Sequence, residues 1–265
     1  MKKILSFFTF ALLMVFNITN VQAQRRFIDE WEASIGYLNF QGDYGQRIDF
    51  SSTLGSAGGM IGAKMYLNLL DENRVNCYSC QHFKFNLAVN TGYSTLNFNR
   101  AYNDDPGFST LKIKAISGQV YFFDLAAMVE YHVSNLRNID FFSSNILNKI
   151  DPYVGIGLGG IFYNVDVDSD LGNFTKDPSI LPGPFQPDEK YGPRAFNESK
   201  LTASANLEVG IRYRFSQDLQ LNFNNKWLYF FSDRVDGLVP NPKQVDNLYN
   251  DWLFSPSVGV VIFIY

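Results

Sequence analysis

The stretch WLFSPSVGVVIFIY, residues 252–265, decides the fold. It carries no charged side chain, it is rich in the β-branched and aromatic residues that favour strands, and it ends on an aromatic residue. Ends of water-soluble domains are polar and frayed. A β-barrel that crosses lipid must instead pair its last strand with its first, because an open edge would leave backbone N–H and C=O groups unbonded in hydrocarbon. The stretch therefore predicts an all-β fold, a transmembrane antiparallel β-barrel closed by its C-terminal strand. Alternation along it assigns Phe263 and Tyr265 to lipid at the rim, where they serve as the assembly signal. Val258, Val260, Ile262 and Ile264 then fall on the lumen face, which is unexpectedly apolar.

Composition agrees with a barrel. The 265 residues hold 22 Lys+Arg against 26 Asp+Glu, a net charge of -4, so no basic surface points to nucleic acid. Aromatic residues make up 16%, and the mean hydropathy of -0.11 is near balance. A helical membrane protein would be far more apolar, whereas a barrel turns every second residue toward a polar interior. The first residues, MKKILSFFTFALLMVFNITNVQAQ, have the plan of a secretory signal peptide. Lys2 and Lys3 precede an apolar run over residues 4–16, and Val21-Gln22-Ala23 is a small-residue cleavage site. Residues 1–23 are expected to be removed, leaving a barrel domain over 24–265 that is exported to the outer membrane.

Seven further segments alternate with period two, at residues 31–40, 59–69, 82–93, 120–133, 153–163, 201–215 and 219–230. With the closing strand they give about eight, an even number as single-chain bacterial barrels have. The apolar faces, such as Trp31, Ala33, Ile35 and Tyr37, belong to lipid; the opposite faces carry the charges. Aromatic residues collect at the segment ends in two belts, with Trp31, Phe83, Tyr131, Tyr213 and Phe215 on one rim. Tyr37, Tyr93, Tyr121, Phe162, Trp227 and Tyr229 form the other. With the N-terminus in the periplasm, Ser216-Gln217-Asp218 is a tight inner turn. The outer loops are 41–58, 94–119, 164–200 and 231–251, and the Pro-rich third one either folds over the mouth or is mobile. Two inner turns, 71–81 and 134–151, are longer than usual.

The chemistry-bearing residues point inward. Glu32, Asp124, Glu130 and Glu208 face Lys64, Lys84, Arg212, Arg214 and Lys226, with His132 beside them. In an eight-stranded interior, just wide enough to be filled by side chains, balanced charges form an ionic core rather than a conducting path. Cys77 and Cys80, in CYSC, read as a disulfide pinning an inner turn of an exported protein. A zinc reading with His82 lacks a fourth ligand. Asp166, Asp168 and Asp170 read as a solvated acidic loop rather than a Ca²⁺ site. The two histidines, His82 and His132, are placed inward at the inner end; with no G-x-S-x-G stretch, no enzymatic activity is expected. No cofactor is expected either; the surrounding outer-membrane lipid is a partner by necessity.

Two stretches carry a family resemblance. DPYVGIGLGGIFYN (151–164) and LEVGIRYRFSQDLQLNFNNKWLYFFSDRVDGL (207–238) resemble the Gly-rich strand and late hairpin of PorG-like barrels, outer-membrane components of the type IX secretion machinery. GYLNFQGDYG (36–45) departs from that family's early strand, and the CYSC turn is additional, so a sibling barrel family is the other assignment. The resemblance implies a non-enzymatic component that ties the outer membrane to periplasmic partners of a secretion complex. Its contact surface would be the long inner turns, with Arg74, Cys77, Cys80, Arg137, Asp140 and Lys149. A surface adhesin or receptor acting through the outer loops, and a small-solute pore, are the alternatives.

Overall fold

The computed structural model describes residues 28–44, 53, 55–67, 77–98, 108–134, 145–187, 192–239 and 250–264. Eight antiparallel strands run in sequence order: β1 (Ile28–Gln41), β2 (Ala57–Leu67), β3 (Phe83–Asn97), β4 (Ile116–His132), β5 (Ile150–Ser169), β6 (Glu198–Arg214), β7 (Leu219–Phe230) and β8 (Trp252–Phe263). β8 pairs back onto β1, with Val260 opposite Ala33 and Val258 opposite Ile35, and closes the barrel. Closure removes the sheet edges, the condition for a β-fold to sit in lipid. Two short helices, α1 (Tyr78–His82) and α2 (Phe108–Ala115), precede β3 and β4. The turn between β6 and β7 is tight as expected: the amides of Phe215 and Ser216 both donate to the Leu219 carbonyl at 3.0 Å.

The wall changes polarity along its height. In the lower part of β5, near the termini, Val154, Ile156 and Leu158 point out and are exposed, while Asp151 and Tyr153 are buried inside. Past Phe162 the pattern inverts. Asn164, Asp166 and Asp168 point out, and Ile161, Tyr163, Val165 and Val167 are buried. β1 behaves likewise, with Glu30, Glu32 and Ser34 inside below Tyr37 but Leu38 and Phe40 inside above it. One solvent cannot produce this inversion. Below the aromatic girdle the outside is hydrocarbon and the inside polar; above it the outside is water and the inside an ordinary apolar core. The chain is a transmembrane β-barrel whose wall rises beyond the bilayer on the side away from the termini.

That raised end is filled. Leu38, Phe40, Leu96, Ile116, Phe122 and Val167 from the wall pack with Tyr44, Phe174, Leu181, Phe185, Val235 and Leu238 from the connections. The described start of the Pro-rich stretch, residues 181–187, thus folds over the mouth, inserting Leu181 and Phe185. Asp251 fixes the last connection by accepting from the amides of Val235 and Asp236 at 2.9 and 3.1 Å. Gly237 turns there at φ +82°, a conformation in which L side chains are strained.

Three expectations are corrected. In β8 the faces are the reverse of those expected: Val258, Val260 and Ile262 are exposed to lipid, while Leu253, Ser255, Ser257 and Val261 are buried. Phe263 points inward, its ring 5.8 Å from Lys84 Nζ and 4.9 Å from the Arg214 guanidinium carbon. Both faces of this strand are apolar, so alternation gives no sign; the two serines mark the lumen. Second, β3, β4 and β5 extend well past the expected loop boundaries, and Asp166 and Asp168 are strand residues on the outer wall. Third, His82 ends α1 rather than opening β3, and its ring stacks toward Tyr131 at 5.8 Å instead of entering the lumen. Residues 1–23, Tyr265, Arg74, Arg137 and Asp140 lie outside the described residues.

Candidate functional site

The lower lumen brings together one compact ionic cluster. Lys64 on β2 donates to Glu130 on β4 at 2.8 Å and to Glu208 on β6 at 2.7 Å, with Glu32 on β1 at 3.6 Å. Arg212 on β6 bonds Glu130 Oε2 at 2.6 Å and lies 3.7 Å from Glu32. Its guanidinium sits between the rings of Tyr66 and Tyr153, at 4.7 and 4.9 Å, where a flat cation gains from two aromatic faces. Tyr66 donates to Glu32 at 2.9 Å, Tyr153 donates to Glu208, and Asn222 donates to Glu32 at 2.8 Å. Asn86 completes Glu130 at 3.0 Å. These groups come from seven strands, and each of the five ions is at most 2% exposed. Small residues on β5 make the room: a Cβ on Gly155 would lie 3.1 Å from Glu130 Cγ and 3.7 Å from Glu208 Cβ.

The remaining expected residues distribute around this cluster. His132 is buried, with Nδ1 2.6 Å from Asp151 and Nε2 3.4 Å from Glu130. Lys84 pairs with Glu30 nearer the rim. Asp124 accepts from Ser204 and, at 3.2 Å, from Asn90, and meets no lysine among the described residues. Lys226 donates to Ser34 at 3.2 Å and Asn90 at 3.4 Å. Arg214 stays at the rim, donating to the Gln217 carbonyl at 3.0 Å. Sequence reading missed Glu30, Asp151, Tyr66 and Tyr153 as partners. Glu30 and Asp151 share the inward face with Glu32 and Tyr153, a parity that was there to be extended. Cross-lumen pairing leaves no mark on sequence.

Chemically the cluster is a cross-brace. Each cation is held by carboxylates, and the carboxylates by hydrogen bonds, the condition under which buried charge is tolerated. Together with the apolar cap above, it occludes the barrel axis in two successive layers.

At the end carrying the termini, Cys77 and Cys80 are joined in a disulfide at the start of α1. Both sulfurs are thereby committed. A five-residue helix is too short to persist unaided, and it is tied at three places. Besides the disulfide, Tyr78 and Tyr131 share a hydrogen bond between hydroxyls at 2.9 Å, and His82 Nδ1 lies 2.8 Å from the His132 carbonyl.

No family model matches the chain, and no curated protein matches it. Solved structures with a similar fold include Neisserial surface protein A, at 13% identity over 89% of this chain and 97% of that one, with a TM-score of 0.44. A major outer membrane protein from Thermus thermophilus is 12% identical over 89% and 99%, with a TM-score of 0.44. OprG from Pseudomonas aeruginosa is 10% identical over 89% and 97%, with a TM-score of 0.43. Likeness at this level assigns no function.

Proposed function

We propose that the chain is a non-enzymatic outer-membrane barrel, exported by its N-terminal signal peptide, that anchors a periplasmic part of a protein secretion apparatus. The observation that supports this best is the doubly occluded lumen. A barrel whose axis is filled by ions below and an apolar cap above has its surfaces left to work with. On the side of the termini, Ile146 (59% exposed) and Leu147 (71%) present apolar groups on the inner connection beside Lys149, and Tyr78 (60%) and Val133 (61%) are exposed at the rim next to Tyr131. Apolar side chains grouped outside a membrane mark contact surfaces for other proteins. The resemblance to PorG-like barrels favours the same surface.

The test is photo-crosslinking from Leu147 and Tyr78 in intact cells. Capture of a periplasmic protein, lost when residues 134–150 are deleted from a barrel that still assembles, supports the anchor. Unchanged secretion and unchanged pull-down partners after that deletion contradict it. A surface adhesin is the second reading, favoured by the ordered cap; a normal binding phenotype after trimming residues 170–187 would remove it.

A further inference from the structure

We infer that the lipid-facing wall holds a membrane lipid at one fixed place, with its acyl chain in a hollow between β6 and β1 and its carbonyl linkage on Asn225. The hollow has a volume of about 800 Å³ and is lined by Ile35, Tyr37, Val209, Phe223, Pro256 and Val258, with Asn225 in its wall. It is open to the lipid rather than enclosed.

An apolar hollow facing lipid carries little alone; the polar group in it carries the assignment. Between the two aromatic girdles, the outward positions among the described residues are apolar or glycine except Thr91 and Asn225. Thr91 is satisfied, donating to the Phe122 carbonyl at 2.9 Å. Asn225 is exposed, and its carboxamide makes no hydrogen bond among the described residues. A bare amide in hydrocarbon is costly unless something bonds it.

Its depth says what that something is. Asn225 is the next outward residue below Trp227, whose ring lies 5.2 Å from that of Phe254 in the girdle. Two strand residues span roughly 6.6 Å. With the usual strand tilt the amide sits about 5 Å below the girdle, just inside the headgroup layer that such belts mark. That is the level of the ester or amide carbonyls that join acyl chains to their headgroups. The wall is also locally irregular there. Pro256, paired with Asn225 on β7, has no N–H to give to β1. The β1–β8 ladder accordingly skips Tyr37 and Leu38, resuming at Asn39. A concave surface suits an acyl chain better than a second copy of the same concave wall.

The test is native mass spectrometry of the full mature chain in detergent. It is titrated with dioleoyl phosphatidylethanolamine and, separately, with the dialkyl ether analogue that lacks both carbonyls. The ester lipid is expected to be retained about three- to tenfold better, the factor one net hydrogen bond supplies. Asn225→Leu should equalise the two lipids, and Asn225→Gln should keep the preference. Equal retention by the unmodified chain overturns the assignment without any variant. A preference that survives in Asn225→Leu overturns it too. A dimer mass that disappears in Asn225→Leu would give the hollow to a second copy, with the same consequence.

Discussion

Lys64 is the residue on which the lumen depends most. It bonds carboxylates from β4 and β6 and stands near a third on β1, so it links three parts of the wall that share no backbone pairing. Lys64→Met removes the cation while leaving Glu208 buried, and breaking a buried pair this way costs about 3–5 kcal/mol. We expect that loss in urea unfolding from lipid vesicles, and we expect Glu208→Gln to recover part of it when added to Lys64→Met. Strict additivity of the two would mean the residues do not interact. Arg212→Lys should be costly despite keeping the charge, because a lysine has neither the flat face that fits between Tyr66 and Tyr153 nor the fork that reaches Glu130. At this scale the sequence was informative about which charges point inward, since parity along a strand decides it. It was silent on pairing: among the described residues Asp124 and Lys226, both inward, are bridged through neutral side chains such as Asn90.

Among the elements, β8 is the one whose orientation the sequence misreports. In their lipid-spanning lengths the other seven strands alternate apolar residues with polar ones or glycine and could be oriented on sight, but β8 has valine and isoleucine out and leucine, valine and phenylalanine in, with only Ser255 and Ser257 to break the tie. Pairing with β1 and β7 sets the parity, and pairing is a property of the closed sheet. Val260→Lys therefore places a charge in lipid near the middle of the wall and should destabilise the barrel by about 2–4 kcal/mol. A measured cost near zero would restore the opposite orientation. In α1, the disulfide closes a very short loop, worth about 2 kcal/mol in the chain-entropy model. Cys77→Ser with Cys80→Ser should raise amide exchange at residues 78–82, leaving β3 and β4 protected; equal protection would show the aromatic contacts suffice. The CYSC turn was legible as a disulfide, but its helix was not, because nothing in five residues has a period to read.

For the whole molecule, the feature least visible in advance is the upper core. Expecting one rule for the full length of each strand puts polar residues inside throughout. The wall in fact obeys two rules, one in lipid and one in water, and switches between them at Phe162 and Tyr37. The switch was written in VDVDSD (165–170), where acidic residues take the outward positions that valine and isoleucine hold lower down. The ionic brace and the apolar cap then close one axis in two different ways, and the anchor reading stands on that closure. Single-channel recording of the purified barrel, residues 24–265, in planar bilayers addresses it most directly. We predict no stable conductance steps; long-lived, sizeable channels would contradict the closure.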